Sequence, residues 1–293
     1  MSFAAPRFNH GSDFNFLQSD AIGDGLSGPD VFVASDVSFL GFDAAAKAAV
    51  AAVVAPTTAL YLQETGTTAP ISVADLNQGQ LGDCFLISSI GEMVLTSPNS
   101  ISNMIKTNSN GTETVTLYAN KNGSAVYSIT SQLYAKQVSV DNHFSTASVN
   151  NGATQAALNG VKEIWPQVLE EAVANLGGGY GSIAYGGSPI IAMEELTGKA
   201  ASYVSQSQIS SVMTLAKLQS LVSANDMLVF DTTGGGSSAY NLVGNHAYMF
   251  EGIVGSGGSA AVKLGNPWGF DQPAMVPVSQ LSKVFAEIDI GHV

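Results

Sequence analysis

The chain contains a single cysteine, Cys84, within the segment DLNQGQLGDCFL at positions 75–86. One thiol cannot form a disulfide within the chain, and it cannot build a zinc site of the C-x-x-C type. The thiol can act as a nucleophile if a neighbouring base accepts its proton and a third group orients that base. A buried thiol without a chemical role is the alternative, so the candidate bases must be compared.

Four histidines compete for the role of the base, and their local sequences separate them. His10 lies in the N-terminal segment, His292 is the penultimate residue and His143 lies in a polar loop. His246 alone stands at the start of an apolar strand, in GNHAYMFEG, where packing can hold the ring. A histidine at a strand start is more often structural, so this position needs support from a second residue.

The second residue is Asn266, in the segment KLGNPWGFD, where Pro267 restricts the asparagine backbone. The amide oxygen of Asn266 can accept a hydrogen bond from imidazole, which is the orienting contact used in Cys-His-Asn proteases. Trp268 can cover that hydrogen bond and exclude water from it. The residues Cys84, His246 and Asn266 therefore occur in the order that thiol-based acyl transfer uses.

Hydrophobic periodicity predicts the elements that must position these residues. A helix is expected to follow Cys84 and to end at SPNS, positions 97–100, which places the thiol at the helix N-terminus. The unpaired N–H groups and the dipole at that end favour a thiolate. A second helix is expected over 160–176, with Trp165 on its buried face. The apolar face of the first helix comprises Leu86, Ile90, Met93 and Val94.

The strands are predicted from runs that are bounded by Gly/Ser loops or by turns. Residues 112–140 alternate in polarity around a turn at 120–123, which predicts a β-ribbon continued by Val126, Ser128 and Thr130. In the second half of the chain the predicted strands are DMLVFDT (226–232), AYMFEGIV (247–254), AAVKLG (260–265) and AEIDI (286–290).

A helix-rich first half and a strand-rich second half predict an α+β protein built as two lobes. We expect a leader or pro-segment over residues 1–60 and a helical lobe that carries the cysteine nucleophile over 61–200. A β-rich lobe that carries His246 and Asn266 is expected over 201–293.

Composition and charge exclude several classes of function. Hydrophobic residues make up 45% and charged residues 11% of the 293 residues, which is typical of a globular chain. The net charge of −13, with only 10 Lys and Arg residues, argues against a nucleic-acid partner. The longest apolar run is too short for a membrane span. The N-terminus lacks the layout of a cleaved signal peptide, so a cytoplasmic location or export without such a signal is expected.

Four segments, in order, resemble the calpain family of cysteine proteases. QGQLGDCF looks like the family's QG-x-LGDCW signature, GNHAYMFEGI like its G-HAYSV segment and LGNPWG like its RNPWG segment. The stretch at 163–198 lies between the first two of these segments; it begins EIWPQVLEEAVANL and ends MEELTG. It is similar to the calpain sequence at the same place. The resemblance implies a papain-like fold, α+β in class, with its active site in the cleft between two lobes.

The resemblance also implies a role for each matching residue. Cys84 would be the nucleophile, His246 the general base and acid, and Asn266 the group that orients the imidazole. Gln78 would donate a side-chain N–H to the oxyanion, together with the backbone N–H of Cys84. Trp268 matches the tryptophan beside the catalytic asparagine of the family.

Two further residues are expected to form the wall of the active site. Gly82, with Gly79, would clear space for the substrate carbonyl, where a Cβ atom would crowd it. Phe85 stands where the family has a tryptophan after the cysteine. Phenylalanine keeps the apolar surface and loses the indole N–H, so catalysis should persist.

Calcium is the cofactor that the resemblance implies, because calpain cores bind two calcium ions that bring their lobes together. One site would use the carboxylates of Asp75 and Glu170 with backbone carbonyls near Thr68 and Pro70. Pro70 replaces a glycine there. The second site is expected to be lost, since Asp271 is the only acidic residue in the shortened segment after NPWG. One calcium ion at most is expected, and no organic cofactor.

The sequence thus predicts an endopeptidase that acts on protein or peptide substrates through a thiolate–imidazolium pair and an acyl-enzyme. The alternatives are a catalytically silent calpain-like binding module and a Cys-His-Asn acyltransferase of the transglutaminase type. The complete triad and Gln78 disfavour the first, and the calpain-like segments outside the triad disfavour the second. Without EF-hand or C2-like segments, control is expected from residues 1–60, from calcium or from the compartment. The Ala/Gly/Ser-rich, Lys-poor composition is typical of a bacterial source.

Overall fold

The computed structural model describes residues 58–63, 69–123, 132–149 and 161–293. Most of the predicted leader, the backbone calcium ligand predicted near Thr68 and the ribbon residues predicted at 126–130 lie outside the described residues. The α-helices in the described residues are α1 (Cys84–Thr96), α2 (Pro98–Met104), α3 (Trp165–Leu176), α4 (Pro189–Thr197), α5 (Gln206–Val212), α6 (Leu215–Ser223) and α7 (Leu281–Val284). Within this described part, no helix is both long and apolar enough to cross a bilayer.

The strands in the described part of the chain form three sheets. They are β1 (Thr58–Ala59), β2 (Ile105–Thr107), β3 (Glu113–Ala119), β4 (Tyr134–Val140), β5 (Lys162–Glu163), β6 (Ser202–Ser205), β7 (Met227–Thr232), β8 (Ala247–Val254), β9 (Ala261–Gly265), β10 (Val276–Pro277) and β11 (Phe285–Gly291). β1 pairs with β5, β2–β3–β4 form an antiparallel sheet, and the remaining strands form a sheet in the order β10-β9-β8-β7-β11-β6. This mixture of helices and largely antiparallel strands confirms the α+β class.

The strongly periodic segments form the elements that their patterns predict. α1 begins at Cys84, α3 covers most of the second predicted helix, and β7, β8, β9 and β11 match the four predicted strands to within a residue at each end. The segment SPNS ends α1 but does not stop helical structure, because Pro98 opens α2. Residues 189–223 form α4, β6, α5 and α6, which the sequence did not predict. α5 buries only Ile209, too little to produce a visible period.

α1 is the central helix of the first hydrophobic cluster. It packs against α4 on one side and against β7 and β8 on the other, and it buries Leu86, Ile87 and Ile90 completely. Gly91 allows the close approach to the sheet, because a Cβ atom at this position would lie 2.7 Å from the sulfur of Met249. The N-terminus of α1 is thereby held against the large sheet.

The large sheet is covered on both faces. Met227 and Val229 on β7 belong to the first hydrophobic cluster, whereas the alternate residues Leu228 and Phe230 belong to a second cluster. Residues of α5, α6 and α7 complete that second cluster. Successive side chains of a strand point to opposite faces, so β7 reads as a continuous buried run rather than as an alternating one. The starts and ends of these buried strands then fix the loops that carry the candidate site.

Candidate active site

His246 and Asn266 meet at the ends of two paired strands. His246 directly precedes β8, Asn266 directly follows β9, and these strands are antiparallel neighbours, so the start of one lies beside the end of the other. The His246 Nε2 and Asn266 Oδ1 atoms are 3.0 Å apart in a buried hydrogen bond. This is the contact expected between an imidazole and the group that orients it.

The Asn266 side chain is held by its own loop. Its Oδ1 also accepts the Trp268 backbone N–H at 3.1 Å, and its Nδ2 donates to the Asp271 carbonyl at 3.1 Å. The Asn266 backbone N–H donates to Gln272 Oε1 at 2.9 Å. Because a backbone N–H also points at Oδ1, the amide orientation is fixed and the His246 Nε2 must be the protonated ring nitrogen. Nδ1 is then the ring atom that can take a proton from a thiol.

Aromatic rings enclose His246 and set its charge state. Trp268 lies over the imidazole with ring centroids 4.6 Å apart, and Tyr248 meets it edge-on at 4.8 Å. His246 is 6% exposed. Burial lowers the pKa of His246 to about 4, and the hydrogen bond to Asn266 opposes that shift only in part. The imidazole is therefore neutral at pH 7 and able to act as a base.

Cys84 lies at the first residue of α1, close to the residue that follows His246. The thiol is half-buried, and backbone N–H groups of Ala247 and Phe85 interact with its sulfur. Within the described residues, no hydrogen bond joins the thiol to the His246 ring. The structure thus brings the candidate nucleophile to the start of β8 without forming the thiol–imidazole bond.

Burial, and not the helix terminus, dominates the protonation of Cys84. The pKa of the Cys84 thiol is raised to about 12, mainly by burial and in part by the charges of Asp231 and Asp83, and the Ala247 and Phe85 N–H groups oppose this rise. The sequence predicted a thiolate from the position at the helix N-terminus. In this arrangement the thiol and the imidazole are instead both neutral at pH 7.

Two polar residues on α1, Ser88 and Glu92, anchor the helix to the sheet. The sequence did not predict this anchoring role. Ser88 Oγ donates to the Ala247 carbonyl at 3.0 Å. The Glu92 carboxylate accepts the backbone N–H of Leu228 at 2.8 Å and that of Phe250. Positions 84, 88 and 92 repeat every four residues, so they share one helix face. A polar row at this spacing inside an apolar helix was the signal available in the sequence.

Gln78, the predicted oxyanion donor, is oriented inward. Its Nε2 donates to the Leu81 carbonyl at 2.8 Å, and its amide also interacts with the Asp83 carboxyl. Its backbone N–H donates to the Pro267 carbonyl at 2.8 Å, which ties the loop before Cys84 to the loop of Asn266. Gln78 therefore lies at the site, with its amide group engaged by its own loop.

The glycines before Cys84 make room for the chain's own backbone. A Cβ atom at Gly79 would lie 2.1 Å from the Ser148 carbonyl oxygen, and one at Gly82 would lie 2.7 Å from the Ala184 carbonyl oxygen. From the sequence, these glycines were expected to leave room for the substrate carbonyl. The structure gives a different reason for glycine at both positions, which is the close packing of neighbouring backbone segments. Phe85, predicted as part of the wall, is 7% exposed and belongs to the first hydrophobic cluster.

The predicted calcium ligands Asp75 and Glu170 have different partners. Asp75 accepts the Ser72 N–H at 2.6 Å, the Ser72 hydroxyl at 3.0 Å and the Trp165 indole N–H at 3.3 Å. Glu170 accepts the Val149 N–H at 2.8 Å. The carboxyl groups of Glu170 and Asp83 interact with each other, and burial raises the pKa of both, to about 10 for Glu170 and about 7 for Asp83. Both carboxylates thus accept hydrogen bonds from protein groups, and the shared calcium site stays a prediction.

The remaining described histidines lie outside this site. His143 is exposed and pairs with Asp141, and His292 pairs with Asp226. Neither interacts with a residue of the Cys84 or Asn266 loops in these contacts.

Comparisons with known proteins agree with this chemistry. The family model described as calpain family cysteine protease matches residues 58–288, which include all of the candidate site. A search of curated proteins gave no match.

Proposed function

The chain belongs to the calpain family of cysteine proteases, and from this premise we propose that it is an endopeptidase that uses Cys84, His246 and Asn266. The observation that carries the proposal is the buried hydrogen bond between His246 and Asn266. It lies next to Ala247, whose N–H interacts with the Cys84 sulfur. A base, its orienting group and a nucleophile are thereby gathered at the start of one strand.

In the proposed reaction, the Cys84 sulfur attacks the scissile carbonyl of a protein substrate while its proton passes to His246 Nδ1. Asn266 holds Nε2–H and stabilises the imidazolium that forms. The imidazolium then donates its proton to the departing amine, which leaves an acyl-enzyme. Water, deprotonated by the same Nδ1, hydrolyses the thioester and restores the neutral thiol. The neutral resting pair makes proton transfer part of the attack.

The oxyanion would be stabilised by the backbone N–H of Cys84 and by the side-chain N–H of Gln78. Gln78 Nε2 donates to the Leu81 carbonyl in the structure, so we propose that the amide turns toward the substrate when a peptide binds. One oxyanion donor is typically worth about 2.7–4 kcal/mol in the barrier.

The fold that this proposal implies is the two-lobed, papain-like one, with the substrate lying in the cleft between the lobes. The two hydrophobic clusters support that reading, since one is built mainly on α1, α3 and α4 and the other on the large sheet with α5 to α7. Calcium assistance stays a prediction from the resemblance. Each of the two predicted ligands, Asp75 and Glu170, accepts hydrogen bonds from protein groups, and no step above depends on calcium.

The proposal is tested with casein cleavage and with labelling by an epoxide probe. We expect the wild type to cleave casein and to be labelled at Cys84. The variants C84S and H246A should lose at least about 10⁴-fold in kcat/KM. N266A should lose about 5- to 150-fold, the equivalent of about 1–3 kcal/mol for an unpaired buried partner. The matched control is H143A, because His143 is exposed and distant from these contacts.

Two results would contradict the proposal. Absence of both cleavage and labelling would indicate the silent binding module. Labelling of Cys84 with incorporation of an amine into casein, but without cleavage, would indicate the acyltransferase.

A further inference from the structure

Three carboxylates of the large sheet converge at one place outside the candidate triad. Asp231 on β7 lies directly opposite Glu287 on β11 in the strand register, and Asp289 follows on the same face of β11. One oxygen from each carboxylate lies within 4.8 Å of the other two. This is the face that carries Val229 and Ala247 of the first hydrophobic cluster. We refer to Asp231, Glu287 and Asp289 as the carboxylate trio.

Two members of the carboxylate trio are buried, and among the described residues no cation compensates the charge of the trio. Asp289 is 0% exposed and Asp231 is 7% exposed. Neither Asp289 oxygen accepts a hydrogen bond from any described residue, and the same holds for Asp231 Oδ1. Among the described residues, no lysine, arginine or histidine forms an ion pair with the trio.

Buried charges without partners are expensive, so such a group needs either protons or a bound cation. Burial raises the pKa of Asp231 and of Asp289, and the charge of Glu287 raises both further. The carboxyls of Asp231 and Glu287 are close enough to interact directly. Protons shared within the trio would still leave both Asp289 oxygens without a hydrogen-bond partner among the described residues. These oxygens point to a ligand that carries positive charge.

We propose that Asp231, Glu287 and Asp289 form a binding site for a calcium ion. The donor set contains only carboxylate oxygens, which suits a hard cation and not zinc, whose sites use histidine and cysteine. Calcium accepts irregular arrangements of about 6–8 oxygens at roughly 2.3–2.6 Å, and carboxylates can bind in bidentate fashion. Water can supply the remaining ligands, since Glu287 is only partly buried.

The proposed site is separate from the one that the resemblance implies. Asp75 and Glu170 lie before and within the helices of the first cluster, whereas the trio lies on β7 and β11. The sequence predicted no calcium site in the second half of the chain, because the loop after NPWG has only one acidic residue. The sequence alone does not show that strand register brings Asp231 together with two residues of β11. The proposal does not rest on the catalytic roles given above.

Calcium binding to the full-length protein tests the proposal. The protein is dialysed against a chelator and titrated with calcium chloride by calorimetry, and its melting temperature is measured with and without calcium. We expect binding of calcium by the wild type and a rise in its melting temperature. D289N and D231N should bind at least tenfold more weakly, with little or no calcium-dependent rise. Repeating the titration in C84A separates ion binding from any failure of the peptidase proposal.

The controls separate the trio from general attraction to an acidic chain. E251Q removes a carboxylate on β8 that pairs with Lys263, and it should leave calcium affinity unchanged. E170Q removes a ligand of the separate site that the resemblance implies, and it should leave the calcium affinity of the trio unchanged. In chelator, D289N should melt no lower than the wild type, because the substitution removes one of three crowded negative charges. If D289N does not fold, E287Q provides the same measurement at the most exposed member of the trio.

Three results would overturn the proposal. They are no calcium binding by the wild type, equal affinity in the wild type and D289N, or loss of binding in E170Q while D289N still binds.

Discussion

The Cys84 thiol illustrates a competition between two local effects on one residue. Its position at the start of α1 favours the thiolate, because the N–H groups there are unpaired and the helix dipole is positive. Removal from water acts in the opposite direction and is the largest cause of its shift, so the pKa of Cys84 rises to about 12. His246 is shifted downward for the same reason, to about 4. At any pH between these two pKa values, the thiol and the imidazole are both neutral.

The pH dependence of alkylation checks this assignment. A thiol with a raised pKa is protonated below that pKa, so its reactive fraction should increase about tenfold per pH unit. We expect iodoacetamide to label Cys84 ever faster from pH 6 to pH 10, and more slowly at pH 7 than it labels free cysteine. Mass spectrometry measures the rate, and the protein in urea, where Cys84 is exposed, is the control. A rate that is constant from pH 6 to pH 9 would instead show a thiolate–imidazolium pair.

At the residue scale, the sequence was informative where chemistry depends on a short local context. His246 and Asn266 could be identified because the start of an apolar strand and an Asn-Pro-Trp segment can both be recognised in the sequence. The carboxylate trio could not, since its members are brought together by the register of β7 and β11. The reason for Gly79 was equally hidden, because the Ser148 carbonyl that it faces is remote in sequence.

At the element scale, α1 connects the candidate nucleophile to the large sheet through one helix face. Cys84 lies beside Ala247, Ser88 bonds to the Ala247 carbonyl, and Glu92 accepts two backbone N–H groups of the sheet. One of these belongs to Phe250, where the register between β8 and β9 shifts by a bulge. Glu92 thus accepts hydrogen bonds from two backbone N–H groups of the sheet, one of them beside the irregular pairing of β8 and β9. These bonds fix the position of α1 along the strands.

Glu92 substitutions test this anchoring. E92A would leave the Leu228 and Phe250 N–H groups without an acceptor, and each buried unpaired group costs about 1–3 kcal/mol. We therefore expect a loss of about 2–6 kcal/mol in the free energy of unfolding, measured by urea denaturation. E92Q keeps one acceptor and should lose about half as much. The control is E251Q on the same sheet, and a loss below about 0.5 kcal/mol in E92A would contradict the anchoring role.

The elements that the sequence failed to predict are those whose stability comes from their neighbours. α6 buries Leu218 and Leu221 against the second cluster, and α5 buries only Ile209. Helices this short show little periodicity, and their start signals are caps. The Thr214 hydroxyl accepts the Lys217 N–H at 3.2 Å, and Ser205 forms a capping box with Gln208. The longer strands β7 and β8 could be predicted without such context, because each contains a run of buried apolar residues.

At the scale of the whole molecule, contacts between remote segments hold the two loops of the candidate site together. The Gln78 N–H donates to the Pro267 carbonyl, and Gly269 packs against Leu76 and Asn77. Elsewhere, Asn225 Nδ2 donates to the Thr96 carbonyl at the end of α1. These contacts join the first hydrophobic cluster to the loops of the large sheet, so the site depends on the assembly of both clusters.

Residues 58–62, around the predicted end of the leader, provide the last test, because they contact the rest of the described chain. β1 pairs with β5, the Trp165 N–H donates to the Leu60 carbonyl at 3.1 Å, and the Leu62 N–H donates to Glu163. Leu60 and Tyr61 also pack on the first hydrophobic cluster. The sequence predicted a leader over residues 1–60, and the last three of these residues, 58–60, pair with or pack on the rest of the described chain.

Two truncations test the structural role of residues 58–62. Deletion of residues 1–57 retains every contact just described and serves as the reference. Deletion of residues 1–62 removes several backbone hydrogen bonds and the packing of two apolar side chains, and it should lower the free energy of unfolding by about 2–5 kcal/mol relative to that reference. Urea denaturation measures both, and equal stability of the two truncations would contradict the structural role of residues 58–62. Casein cleavage by the shorter deletion tests the pro-segment hypothesis separately: faster cleavage than by the full chain supports inhibition by the leader, and an unchanged rate removes that hypothesis.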